Sequence, residues 1–303
     1  MDDCVHTRGG TMIEAGCVMK EALFYEKLDS CRVRCLLCPH ECVLPPDGTG
    51  ACRARRNTDG SLYSLNYSCV TSVALDPIEK KPLYHFRPGS MILSAGTFGC
   101  NFKCSWCQNW TIAHKNPGTK ELTPEGLARL AVEYASRGSI GVAYTYNEPS
   151  IWYEFIYDAA RLVKEHGLAN VLVTNGFINP GPLEQLLPYI DAMNIDVKAF
   201  TEEFYNKYCK GTLNSVMRTV EKASRSCHVE ITTLVIPGLN DSPAEIGRLA
   251  AWLASISPDI VLHLSRFFPN YQMNDIMPTP RESLENARNS ALGYLRHVYL
   301  GNI

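Results

Sequence analysis

The apolar run 91–95, Met-Ile-Leu-Ser-Ala, leads into Gly99-Cys-Asn-Phe-Lys-Cys-Ser-Trp-Cys-Gln108, which spaces Cys100, Cys104 and Cys107 as C-x3-C-x2-C. A [4Fe-4S] cubane takes one cysteine per iron, so a tight trio with no fourth cysteine nearby holds three irons and leaves one open to another molecule. Zinc motifs more often pair two C-x2-C units, or one pair with histidines. A zinc ion completed by His114 is therefore the weaker reading of the trio.

Beyond Ser90, short β-rich runs alternate with amphipathic stretches, the pattern of βα units around a parallel sheet. The runs 91–95, 141–145, 170–174, 192–197, 229–235 and 261–265 predict six strands. Helices are expected at 150–165, 182–187, 201–208, 214–224 and 282–295, another begins at the Thr123-Pro124 cap, and Ser242-Pro-Ala-Glu245 reads as a capping box. Ligand sites in such folds lie at the carboxyl ends of the strands. Cys100–Cys107, Asn147-Glu148, Thr174-Asn175, Asp196 with Lys198, and Arg266 all fall there, spread over about 170 residues of chain. His263 reads as a satisfied core histidine, and Tyr144 and Tyr146 as packing aromatics or pocket walls.

Residues 1–75 form a cysteine-rich appendage, and 76–303 the barrel, joined by Asp76-Pro-Ile-Glu-Lys-Lys-Pro-Leu-Tyr-His-Phe86. Cys35-x2-Cys38-x3-Cys42-x9-Cys52 supplies four thiolates, with Cys31 and His40 as spares, enough for structural zinc or a second [4Fe-4S] cluster. Cys4, Cys17, Cys69, Cys209 and Cys227 read as inert thiols.

The chain has 303 residues, 13 cysteines and a net charge of −2. Thirteen cysteines without an apolar leader point to metal chemistry in a reducing, cytoplasmic setting, and an open, oxygen-sensitive cluster adds the expectation of an anaerobic host. No run reaches the length of a membrane span, and the acidic balance argues against a nucleic-acid partner.

The cysteine trio, followed by polar pairs at later strand ends, resembles the radical S-adenosylmethionine (SAM) superfamily over about 90–268. The strings Cys-Leu-Leu-Cys-Pro-His-Glu-Cys, Glu-Lys-Lys-Pro-Leu-Tyr-His-Phe, Thr-Tyr-Asn-Glu-Pro and Ser-Arg-Phe-Phe-Pro resemble its pyruvate formate-lyase activating enzyme-like branch, closest to the radical enzyme of the AmmeMemoRadiSam system. The resemblance implies a partial (β/α)6 TIM-like barrel of the α/β class. It implies a [4Fe-4S] cluster on Cys100, Cys104 and Cys107 whose open iron binds SAM, and reductive cleavage to a 5′-deoxyadenosyl radical that abstracts hydrogen from an unidentified substrate. Trp106 would lie against the adenine or serve the core, Asn147 and Glu148 would meet the methionine ammonium, and Thr174 and Asn175 the ribose or the methionine carboxylate. Asp196 and Lys198 would contact the cofactor or form an ion pair, and Arg266 would bind an anion or pair with a carboxylate. Expected partners are an electron donor such as flavodoxin or ferredoxin and the proteins of the AmmeMemoRadiSam system. Two other functions stay open, glycyl-radical-enzyme activation and a noncatalytic metal-binding scaffold.

Overall fold

The computed structural model describes residues 13–14 and 16–303; the reading of Cys4 lies outside the described residues. One open sheet runs in the order Ser72–Pro77, Met91–Gly96, Ser139–Tyr144, Ala169–Thr174, Ala192–Asp196, His228–Val235, Val261–Arg266 and Val298–Gly301. All six expected strands form. The count of six is nevertheless short by two, because Ser72–Pro77 joins antiparallel at one edge and Val298–Gly301 parallel at the other. Ser72–Pro77 also runs through the expected junction at 75/76 and belongs to the barrel sheet.

Parallel sheets are covered on both faces, so their strands read as nearly continuous apolar runs. One face carries Leu93, Val142, Leu172 and Met193, which pack in the main core with the helices. On the other, Ala143, Val171 and Ala192 lie in register and close around Ile78 and Leu83 of the segment that follows the edge strand. Gly141 allows close approach of neighbouring strands, because a Cβ there would stand 1.9 Å from the Ala169 carbonyl oxygen.

Helix ends follow the sequence signals, with two differences. Thr123 Oγ1 accepts from Gly126 N, and Ser242 Oγ from Glu245 N at 3.1 Å. The Glu245 side chain does not return to the cap; it accepts from Phe200 N at 2.7 Å, bracing the segment after the Asp196 strand. The expected helix from 150 begins instead with a 3-10 turn, Pro149–Trp152, before Tyr153–Glu165.

The segment 78–86 straps across the amino end of the lumen. Asn194 Nδ2 donates to Pro82 O at 2.8 Å, while Glu230, fully buried, accepts from Tyr84 N and His85 N at 3.0 and 2.7 Å. Its oxygens also meet His228 Nε2 at 2.9 Å and His263 Nε2 at 2.6 Å, which makes His263 the satisfied core histidine expected. Cys17 and Cys69 correct the reading of inert thiols, since they form a disulfide between the amino-terminal segment and the approach to the sheet.

Burial alone would push the Glu230 carboxyl up, but the donors from His228, His263, Tyr84 and His85 outweigh it and hold its pKa at about 2, against an ordinary 4.5. A depressed carboxyl contributes stability that is present above its unfolded pKa and lost as pH falls through the folded value. Urea unfolding between pH 6 and pH 2 is expected to show a loss of about 3 kcal/mol from this group. Glu230→Gln should lower stability at pH 6 and flatten that acid limb, and an unchanged limb would show that the strap does not depend on this carboxylate.

Candidate functional site

The cysteine loop is shaped from three sides. Gly99 has φ +90°, and a Cβ there would lie 2.5 Å from the Cys52 carbonyl oxygen of the appendage, so the position demands glycine. His40 Nε2 donates to Asn101 O at 2.7 Å, and Asn101 Nδ2 donates to Phe177 O at 2.8 Å. Beyond the third cysteine the short helix Trp110–Ala113 returns, with Gly99 N donating to Ile112 O at 2.9 Å.

A cavity of about 370 Å³ opens where the strands end, and nine of the eleven residues marked around this mouth line it. Cys100, Cys104, Cys107 and Trp106 come from the loop, Asn147 and Glu148 from the second parallel strand's end, Asn175 from the third, and Asp196 and Lys198 from the fourth. Arg266 and Thr174 are the exceptions. The Thr174 hydroxyl donates to Glu148 Oε1 at 2.7 Å, so it stands behind the carboxylate. Roomier depressions of about 520 and 550 Å³ on the outer surface gather no such set.

Glu148 is 2% exposed and bridges strand ends. Oε1 also accepts from Ser150 N at 2.9 Å, opening the 3-10 turn, and Oε2 accepts from Asn175 N at 2.7 Å. Burial nevertheless wins over these donors and raises its pKa. Asn147 ties the same strand end to the cysteine loop, accepting from Thr97 N at 3.1 Å and donating to Gly99 O at 3.0 Å. Asn175 Nδ2 donates to Asn101 Oδ1 at 2.9 Å and reaches Cys100 Sγ at 3.9 Å.

Lys198 and Asp196 form an ion pair at 2.6 Å inside the cavity. Burial works against the ammonium, yet Asp196 outweighs it and the lysine pKa rises. Trp106 lines the cavity and packs on Phe204 with ring centroids 5.4 Å apart.

All three loop thiols are held above the ordinary thiol range. Burial comes first for Cys100 and for Cys107, which is pushed to about 11. For Cys104 the leading cause is a hydrogen bond with Cys209. Cys209, read from the sequence as an inert thiol, thus lies beside a loop cysteine; its position 102 residues from Cys107 gave no sequence signal of that. It is fully buried and does not line the cavity.

The other candidates divide between the cavity and its surroundings. Tyr146 lines the cavity, whereas Tyr144 is buried and donates to Asn170 Oδ1 at 3.2 Å. Arg266 pairs with no carboxylate among the described residues; Nε donates to Thr279 O at 2.8 Å and the guanidinium lies over Phe268. His114 stacks near Tyr271 and does not line the cavity.

In the appendage, Cys35, Cys38, Cys42 and Cys52 border one void of about 10 Å³ with His40 and Arg55. Arg55 is buried, paired with Glu154 at 2.7 Å, and donates to Ile151 O at 3.2 Å. Cys31 is disulfide-bonded and so is not a spare ligand. Among the described residues, no three His, Cys, Asp or Glu side chains converge as a single-ion site. A cubane asks for no such convergence, because each cysteine takes its own iron.

The family model for the radical SAM superfamily matches residues 95–250. An uncharacterised protein of Methanocaldococcus jannaschii is 43% identical over 94% of this chain and 86% of its own. The pyruvate formate-lyase-activating enzyme of Clostridium pasteurianum is 29% identical over 52% of this chain and 67% of its own, and the Escherichia coli pyruvate formate-lyase 1-activating enzyme 26% identical over 63% and 84%. In fold, the chain is similar to Streptococcus suis SuiB bound to S-adenosylmethionine, with a TM-score of 0.55 at 13% identity over 69% of this chain and 51% of that one. Three cysteines at the first parallel strand's end, polar groups at the next three, and a family match across all of them place this chain in the radical SAM superfamily, as an enzyme of that class related to the pyruvate formate-lyase activating enzymes.

Proposed function

We propose that the protein cleaves SAM reductively and removes a hydrogen atom from its substrate with the 5′-deoxyadenosyl radical. The observation that carries this reading is the gathering of Cys100, Cys104 and Cys107 with Glu148, Asn175, Asp196 and Lys198 in one cavity. When bound, a [4Fe-4S] cluster supplies the electron and SAM the sulfonium bond that it breaks.

The residues present fit that pair. Three thiols face the cavity while Cys209, the nearest further thiol, is buried outside its lining, so three irons would be held and one left open. Protonated thiols are favoured here without metal, and cationic iron would shift them to thiolates. Glu148 is likewise a carboxylate whose burial disfavours its charge, and the methionine ammonium would offset that cost. Ser150 N, Thr174 and Asn175 N fix its oxygens in place. The Lys198 ammonium, steadied by Asp196, would face the methionine carboxylate. Phe102 and Trp106, 1% and 5% exposed, would keep water from the wall behind the loop.

Cys35, Cys38, Cys42 and Cys52 belong to this reading as a second metal site, zinc or an auxiliary [4Fe-4S] cluster. Its support is the shared void, with burial pushing the Cys35 thiol to about 11 and raising Cys38 and Cys52. The reading also includes flavodoxin or ferredoxin as electron donor, cytoplasmic residence and kinship with the AmmeMemoRadiSam radical enzyme. The similarity to pyruvate formate-lyase-activating enzymes favours a second reading of the substrate, a glycine of another protein.

Anaerobically reconstituted protein with a strong reductant should form 5′-deoxyadenosine from SAM, measured by chromatography, and Cys104→Ala should reduce that yield to background. Formation that persists in the variant would reject the cysteine trio as the cluster site. Cys209→Ala should keep the wild-type iron content of the main site and its 5′-deoxyadenosine yield. Loss of the cluster in that variant would make Cys209 a fourth ligand and close the iron on which the reading depends.

A further inference from the structure

The strap motif Glu79-Lys-Lys-Pro-Leu-Tyr-His-Phe86 does more than close the lumen. Its 3-10 turn, Ile78–Lys80, brings Lys80 and Lys81 to the same cavity that the cysteines line. Lys81 is 4% exposed, with Nζ 2.8 Å from Asp76 Oδ2, while Lys80 stands at the rim with Nζ 3.4 Å from Asp76 Oδ1. Tyr146 OH donates to Asp76 Oδ2 at 3.1 Å, and the Lys81 ammonium lies 5.0 Å from the centre of its ring. Tyr146 is held there at φ +73°, an uncommon conformation for an aromatic residue, with its carbonyl accepting from Asn109 Nδ2 at 2.6 Å.

Two ammonium groups share one carboxylate, so this end of the cavity carries a surplus positive charge. The other acids are already engaged: Glu148 by three protein donors and Asp196 by Lys198. Ser265 lines the cavity, and its Oγ accepts from Asn302 Nδ2 at 2.9 Å, which leaves the hydroxyl proton to donate. The subsite is therefore rich in donors and has no carboxylate without a partner. An anchoring ion pair for the strap would need only one lysine, and burying a charge near a cavity is costly without a use for it.

We propose that Lys80 and Lys81, held in place by Asp76 and Tyr146, form an anion subsite of the cavity that Ser265 also lines, and that the substrate carries a carboxylate or phosphate group held there. This rests on the reading of the cavity as the radical site. Both charge and donor count favour such a group over a neutral or cationic one.

The test uses the reconstituted protein saturated with SAM, so that the cofactor's own carboxylate is not the group measured. Calorimetric titrations compare glycerol 3-phosphate with glycerol, and lactate with propane-1,2-diol. At least one anion should bind while its neutral mate does not, and Lys81→Met with Lys80→Ala should weaken it tenfold or more. Asp76→Asn, which frees both ammonium groups, should tighten it several-fold, and Lys81→Arg should retain it if the methionine variant fails to fold. The proposal is overturned if neither anion binds, if the neutral mates bind equally, or if the lysine variants bind the anion unchanged. It is also overturned if those variants weaken SAM instead, which would assign the lysines to the cofactor. Failure of the wild-type protein to form 5′-deoxyadenosine would count against the radical reading separately, because the anion titrations do not depend on cleavage.

Discussion

The buried Glu148 carboxylate is the interaction on which the site depends. It ends one strand, opens the turn that follows through Ser150 N, and receives Thr174 and Asn175 from the next strand. Asn175 then reaches the cysteine loop through Asn101, and Asn147 ties that loop back to the first strand end. A carboxylate with three neutral donors is satisfied as a hydrogen-bond acceptor but not as a charge, as its raised pKa shows. In the proposed reading, the methionine ammonium would supply the missing positive charge.

The appendage contributes to the same arrangement. Its Cys52 carbonyl packs against Gly99, His40 holds the Asn101 carbonyl, and Asn179 N, beyond the third parallel strand, donates to Leu37 O at 3.0 Å. The four-cysteine region thus abuts the loop that carries the three. From the opposite side the strap fills the lumen with Ile78 and Leu83 and raises two lysines toward the mouth. One cavity therefore has a cysteine and carboxylate end and an ammonium end, each set by a different part of the chain.

Much of this was legible in the amino-acid order, because fully buried parallel strands leave uninterrupted apolar runs and the loop cysteines are close in sequence. The two edge strands were not. Ser72–Pro77 is mostly exposed or half-buried and ends in proline, and Val298–Gly301 is four residues long, so neither carries the signature of a core strand. Thr174 was placed at the mouth because a strand-end hydroxyl gives no hint of whether it faces a ligand or a neighbouring carboxylate. Cys209, the Cys17–Cys69 disulfide and the lysines of the strap were missed for a common reason. Their meaning comes from contacts across long stretches of chain, and a lysine pair beside prolines reads as solvated charge until the strap is seen to enter the lumen.

The central claim, a cluster with one iron left for SAM, is tested most directly by electron paramagnetic resonance of the reduced, iron-counted protein before and after SAM is added. Coordination at the open iron predicts a change in the g-values of the cluster signal on addition. A signal that stays the same under saturating SAM would mean that the iron is closed or the cofactor binds elsewhere, and would contradict the account.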